Sequence, residues 1–252
     1  MALNESELSN EDFTVTVEEE NQVIRATIDR PEQKNALNSN VLDGLEETVK
    51  AGDKSDAKVL VIRGAGGTFC SGGDLEEGAE IRENSTPPEL RDHLSRLADI
   101  LSAMTDAELL TVAAIEGYCL AGGCGLAAGC DFLVARDDAT FGTPEVKVGL
   151  FPAMALAPIM RAVQEKKGFK LLFTGEKIDA QEAEQIGLVT DVVPEEDFDD
   201  HLEDLVSQLS DTTRNLITMG KESYYTQRDM NYKGALNYLK EIISMVSLSF
   251  GS

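Results

Sequence analysis

The chain has 252 residues, enough for one large domain or a domain with an appendage, and 42% of them are hydrophobic, which is ordinary for a globular protein. It carries 46 acidic residues against 22 basic ones, a formal charge of −24, a field that repels phosphate backbones and anionic lipid and argues against nucleic-acid and membrane partners. No stretch is long and apolar enough to span a bilayer, and the acidic start MALNESELSNEDF lacks the basic flank and apolar block of a signal peptide, so a cytoplasmic location is expected.

In chain order, Phe13 to Glu18 and Val23 to Ile28 alternate apolar and polar residues and predict a hairpin. Asn38 or Ser39 caps a predicted helix whose apolar face is Val41, Leu42, Leu45 and Val49, ending near Gly52. Lys58 to Arg63 reads as a buried strand. Glu76 to Pro88, rich in charge, Ser and Pro, reads as a mobile loop. Leu90 to Met104 reads as a helix with Leu94, Leu97, Leu101 and Met104 on one face. Thr111 to Ile115 and Asp131 to Ala135 are predicted strands. Pro152 to Val163 is helical in pattern, with a kink expected at Pro158. Asp179 starts a short helix that Gly187 stops, and Leu188 to Val193 reads as a strand. After Pro194 only helices are predicted: Phe198 to Leu209, Thr212 to Gln227 and Tyr232 to Leu248. This divides the chain into a mixed α/β part, residues 1–194, and a helical part, residues 195–252.

The acidic residues are spread over every segment. Such a spread fits a protein kept soluble in high salt, where screening relieves self-repulsion, and points to a halophilic source. The cysteines, Cys70, Cys119, Cys124 and Cys130, form no CxxC pair and read as small buried thiols without a metal or disulfide role.

Two glycine stretches share one plan. Gly117 to Cys130 follows an apolar run and leads into a small-residue helix starting near Gly122; Val59 to Leu75 ends a buried strand in Gly72 and Gly73. Glycines allow a sharp turn and expose bare backbone, and a helix start leaves amides unpaired. One reading is tight helix packing. The other is a pair of N–H groups aimed at one oxygen, as in an oxyanion hole.

These stretches resemble the crotonase family, the enoyl-CoA hydratase/isomerase superfamily. Asn35-Ala36-Leu37-Asn38 matches its early signature, Thr68 to Leu75 its first oxyanion loop, and Gly117 to Cys124 its second. Phe141 to Glu145 and Leu172 to Gly175, followed by Ala183 to Val189, match further segments in the right order. The resemblance implies an α/β fold, a crotonase-like spiral of ββα repeats with a C-terminal helical region used for oligomerisation. A homotrimer or a dimer of trimers is expected, with an acyl-CoA substrate and no metal or redox cofactor.

Residue by residue, the resemblance implies that the amides of Gly73 and Gly122 polarise a thioester carbonyl and that Glu145 carries protons. Lys34, Ala36, Ser71, Gly72, Asp74, Leu75 and Gly123 are the implied substrate-binding positions, with Arg30 a weaker candidate. Hydratases of the family carry a second glutamate where this chain has Gly125. Water addition is easiest with two carboxylates, whereas a double-bond shift needs one base, so the chain leans toward isomerase chemistry, while a hydratase using another acid stays open, with Glu116 before the second loop and Glu76 and Glu77 after the first as the acids nearby. A glutamate at Gly125 is expected to favour hydration if the pocket has room. The family's usual lysine after the first loop is replaced by acidic residues. A catalytically weak acyl-CoA-binding homologue is the alternative. A serine hydrolase built on Ser71 would need a histidine, and His93 and His201 both lie in polar helical segments.

Overall fold

The computed structural model describes residues 3–20 and 22–249, the side chains of 245–249 excepted. A short helix α1 (Glu5–Leu8) precedes the hairpin β1 (Phe13–Glu18) and β2 (Val23–Ile28), paired antiparallel with Phe13 opposite Ile28. Helix α2 (Ser39–Asp53) is capped by Asn38, whose side chain accepts from the Val41 amide at 3.0 Å. The chain then crosses to β3 (Val59–Gly64), α3 (Leu75–Asn84), α4 (Pro87–Asp106) and β4 (Leu110–Ile115).

Next come β5 (Tyr118–Leu120), α5 (Gly122–Ala128), β6 (Phe132–Arg136), β7 (Thr140–Gly142), α6 (Ala153–Ala162), α7 (Glu165–Thr174), β8 (Lys177–Asp179), α8 (Ala180–Gln185) and β9 (Asp191–Val193). The helices α9 (Phe198–Ser210), α10 (Arg214–Arg228) and α11 (Tyr232–Ser249) close the chain.

Six strands form one sheet in the order β1-β2-β3-β4-β6-β9, parallel from β2 onward, and three form a second sheet in the order β5-β7-β8. Twice the chain runs a strand of the large sheet, a strand of the small sheet and a helix: β4-β5-α5, then β6-β7-α6. The same step occurs in miniature after β3, where Cys70 alone bridges Cys119 of β5 before α3 begins. This is a spiral of ββα turns.

The large sheet is buried on both faces, so its central strands are nearly all apolar. Leu60 and Ile62 of β3 face a core shared with Val41, Leu45, Ile100 and Leu126 of the helices. Val59 and Val61, on the opposite face, pack with Val112, Val134 and the Phe198, Leu202 and Val206 stripe of α9. The first helix after Pro194 therefore covers the sheet. Helix α10 is anchored by Lys221, whose buried ammonium donates to the carbonyls of Met104 and Leu109, each at 2.7 Å, and pairs with Asp131 at 3.0 Å.

Three expectations need correction. The segment after Leu75 is not a loop. Asp74 caps α3, accepting from the Glu76 and Glu77 amides at 3.0 and 3.2 Å, and its capping outweighs the charge-rich composition. On α4 the buried stripe is Leu97, Ile100 and Met104, and Leu94 is exposed, because the helix begins at Pro87 and turns its first part toward solvent. The last strand pairs only over β9, since Gly187 and Leu188 still belong to the hydrogen-bonded turn that ends α8.

Candidate active site

Asn35 is the post on which the first glycine loop hangs. It is fully buried, and its side chain accepts from the Arg30 amide at 2.9 Å and donates to the carbonyls of Ala65 at 2.8 Å and Thr68 at 2.5 Å. Lys34 and Asn35 both adopt positive φ, 51° and 54°, a turn that asparagine tolerates better than most residues. The loop's amides are then spent one by one. Cys70 donates to the Tyr118 carbonyl at 2.8 Å, Ser71 to that of Lys34 at 3.0 Å, and Asp74 to that of Leu37 at 3.0 Å. The Gly72 amide points at the Cys70 sulfur, 3.4 Å away. The Gly73 amide has no acceptor among the described residues.

The second loop turns at Ala121, which holds φ 54° and ψ −127°, a strained conformation for a residue with a Cβ. Its amide donates to the Gly142 carbonyl at 2.8 Å, which fixes the turn against β7. The Gly122 amide, at the start of α5, likewise has no acceptor among the described residues. A Cβ built on Gly122 would come 3.8 Å from the Gly73 nitrogen, so the two free amides lie close together. Glycine is required at Gly72, where φ is 109° and a Cβ would meet that of Ala121 at 2.5 Å.

Glu145 lies in a 3-10 turn, Pro144–Val148, that continues β7 beyond Gly142, the residue paired with Leu120 of the second loop. The buried Thr143 hydroxyl donates to the Leu171 carbonyl at 3.0 Å and pins this turn to α7. The Glu145 Oε2 is buried without a hydrogen-bond partner. Burial pushes its carboxyl above the usual carboxylate range, against a smaller pull from its own backbone amide. A carboxylate so placed is a ready proton acceptor.

The position of the family's second glutamate has no room. A Cβ on Gly125 would lie 2.9 Å from both the Cα and the Cβ of Ala155, because α6 packs directly on α5. The condition attached to a glutamate there is therefore not met.

Of the other sequence-derived positions, Ala36 and Asp74 belong to the frame. The Ala36 carbonyl accepts from Arg30 at 2.7 Å, and Asp74 pairs with Arg30 at 2.9 Å. Burial raises the Asp74 carboxyl, but the Glu77 amide, the Arg30 guanidinium and the Glu76 amide outweigh it and hold the group below the usual carboxylate range. Arg30, bound by Asp12 and Asp74, is not a free cation. Leu75 is 77% exposed at the start of α3. Gly123 presses on Cys70. The Ser71 hydroxyl lies 3.5 Å from the Gln33 carbonyl, and His201 faces Asp191 at 3.3 Å on α9, so no serine–histidine pair forms between them.

Lys34 keeps company that the sequence did not reveal. Its ammonium sits 5.5 Å from the Tyr118 ring centre, and that of Lys177 sits 4.8 Å from the same ring. Lys177 stands on β8, two strands away from Tyr118 in the small sheet, and only that sheet's pairing brings them together. Of the other acids near the loops, Glu116 and Glu77 have structural surroundings and Glu76 is solvated. Glu116 bridges Arg63 and Arg136, each at 3.0 Å, Glu77 accepts from the Ser39 amide at 2.9 Å, and Glu76 is exposed.

A family model described as enoyl-CoA hydratase/isomerase matches residues 18–245. The chain belongs to the enoyl-CoA hydratase/isomerase family. The rat (Rattus norvegicus) mitochondrial enoyl-CoA hydratase domain-containing protein 3 is 34% identical over 203 residues, which is 79% of this chain and 66% of the rat protein. The "Probable enoyl-CoA hydratase echA8" of Mycobacterium tuberculosis is 34% identical over 212 residues, 83% of this chain and 80% of that one. Among solved structures, an enoyl-CoA hydratase of Mycobacterium smegmatis superposes with a TM-score of 0.88 at 29% identity, covering 94% of this chain and 91% of the other. Family membership accounts for the crotonase-type spiral, and the solved relatives share its mixed α/β build.

Proposed function

We propose that the protein acts on acyl-CoA thioesters, polarising the thioester carbonyl with the amides of Gly73 and Gly122 and moving a proton with Glu145. The observation that carries this reading is the pair of unpartnered amides brought close together at the meeting of two glycine loops. A carbonyl oxygen received by two fixed N–H groups gains negative charge at little cost, and the neighbouring carbon becomes acidic. Glu145, with one carboxylate oxygen buried and unpartnered and a raised proton affinity, then takes that proton and returns it.

The reaction we infer is a shift of a carbon–carbon double bond rather than hydration. One base suffices for removing a proton at one carbon and replacing it at another. The site that would hold a second carboxylate is filled by Ala155. Coenzyme A is needed only as part of the substrate, and no metal or redox group has a role in these steps.

The reading extends to assembly and setting. We propose a homotrimer or a dimer of trimers, supported by exposed aromatic residues: Phe173 stacks on Phe169 at 5.5 Å and meets the tilted ring of Phe151 at 5.3 Å, all three solvent-exposed in the single chain. A cytoplasmic, salt-adapted protein fits the charge of −24, and no helix among the described residues is long and apolar enough to cross a membrane.

The test is turnover of a trans-2-enoyl-CoA and a trans-3-enoyl-CoA in high salt, with products separated by mass. Interconversion of the two at unchanged mass supports the proposal. Binding without turnover of any acyl-CoA would favour a binding homologue instead.

A further inference from the structure

Cys70 touches both glycine loops, and nothing in the proposed chemistry uses it. Its backbone welds the loops together: its amide donates to the Tyr118 carbonyl at 2.8 Å and its carbonyl accepts from Leu120 at 2.9 Å. Its side chain is completely buried, and burial pushes the thiol up to about 12, so it is an uncharged S–H and no nucleophile at working pH.

The sulfur has two neighbours of consequence. On one side it accepts from the Gly72 amide at 3.4 Å and lies 3.9 Å from the Gly72 carbonyl oxygen, to which the S–H can donate. That carbonyl also accepts from the Leu37 amide at 2.8 Å. A trans peptide is planar, with its C=O and N–H pointing opposite ways. Holding the Gly72 oxygen on the Leu37 and Cys70 side therefore turns the Gly73 N–H to the other side. On the other flank, a Cβ built on Gly123 would come 2.6 Å from the Cys70 Cβ and 2.7 Å from its sulfur, so the start of α5 rests on this side chain. Gly122 is the preceding residue. One side chain thus contacts the peptide that carries the first free amide and the residue next to the second.

We propose that Cys70 is a positioning residue for the oxyanion pair, its side chain setting the direction of the Gly73 amide through its hydrogen bonds to the Gly72 amide and carbonyl. The inference rests on the reading of those two amides as carbonyl-polarising groups. It assigns Cys70 no contact with substrate.

The experiment compares Cys70→Ser with Cys70→Ala in the full-length protein. Serine and alanine differ by one hydroxyl, and serine alone keeps an acceptor for the Gly72 amide and a donor for its carbonyl. Two readouts are taken: kcat and KM on the enoyl-CoA that the parent turns over, and the absorption of bound cinnamoyl-CoA, whose band moves to longer wavelength as its carbonyl is polarised. Removing an oxyanion donor outright lowers kcat by about 100- to 1,000-fold, so misdirecting one should lower it by about 10- to 100-fold. Cys70→Ala is expected to show that fall in kcat, a KM within about threefold of the parent, and a smaller spectral shift. Cys70→Ser is expected to restore most of both.

Equal behaviour of the serine and alanine variants, whether both like the parent or both impaired, overturns the proposal, because packing alone would not separate them. If the parent itself binds cinnamoyl-CoA with no shift, the oxyanion reading fails, independently of Cys70.

Discussion

Ala155 of α6 sits so close to Gly125 of α5 that a Cβ on the glycine would come 2.9 Å from the alanine's backbone and side chain alike. This contact decides how the missing glutamate is to be understood. The position is a packing seam between two helices. Glu placed at Gly125 must displace α6, so Gly125→Glu is expected to destabilise the protein by about 1–3 kcal/mol or more, as overpacking does, without a gain in water addition. Thermal melting and product analysis of the variant check both halves. A stable variant that hydrates a 2-enoyl-CoA would show that the seam opens.

Glu145→Gln should lower turnover by about two to four orders of magnitude while acyl-CoA binding survives, the usual worth of a positioned base. It should also alter stability in a pH-dependent way. Burial raises the folded-state pKa of Glu145 above its unfolded value, so its favourable contribution is present below the unfolded pKa and lost as pH rises through the folded one. At neutral pH the ionised carboxylate therefore opposes folding. Glu145→Gln should melt higher than the parent at neutral pH, and the gap should close as pH falls below the ordinary glutamate range. An equal gap at both pH values would contradict the desolvated carboxylate.

Lys34 and Lys177 converge on the Tyr118 ring in a chain that otherwise has acid to spare. If their charge meets the phosphates of coenzyme A, Lys177→Ala should weaken binding of an acyl-CoA and leave the matching acyl-pantetheine unaffected, at moderate ionic strength where such pairs are not screened away. Calorimetric titration with both ligands separates the cases. Equal losses for the two would mean that the lysine supports the loop and not the phosphates.

The charge of −24 should make stability rise with salt, since screening relieves repulsion among the acidic residues. A thermal midpoint that is flat or falls between low and molar salt would remove the salt-adaptation inference. Light scattering in molar salt tests the trimer, and a monomer there would contradict it.

How far these features can be read from the residues depends on their range. The β1/β2 hairpin and the Asn38 cap of α2 follow from local alternation and one side-chain oxygen, and the structure has both where the sequence puts them. Helix α3 was hidden because it buries none of its residues, so no apolar period marks it. Strands β5, β7 and β8 have three residues each, too few for a periodic signal. Within the site, the glycines and Glu145 stand in motifs that can be quoted. The strained Ala121, the Asn35 post, the filling of Gly125 by Ala155 and the pairing of Lys177 with Tyr118 are products of packing between distant segments. No local composition announces them.

The central claim, two backbone amides and a single carboxylate performing a double-bond shift, is tested most directly by incubating the pure protein with a trans-3-enoyl-CoA and following the product by mass and ultraviolet absorption. The account predicts a product of unchanged mass that has gained the absorption of a conjugated 2-enoyl thioester, formed faster than any product heavier by one water. A dominant hydrated product, with isomerisation slower than water addition, would contradict it.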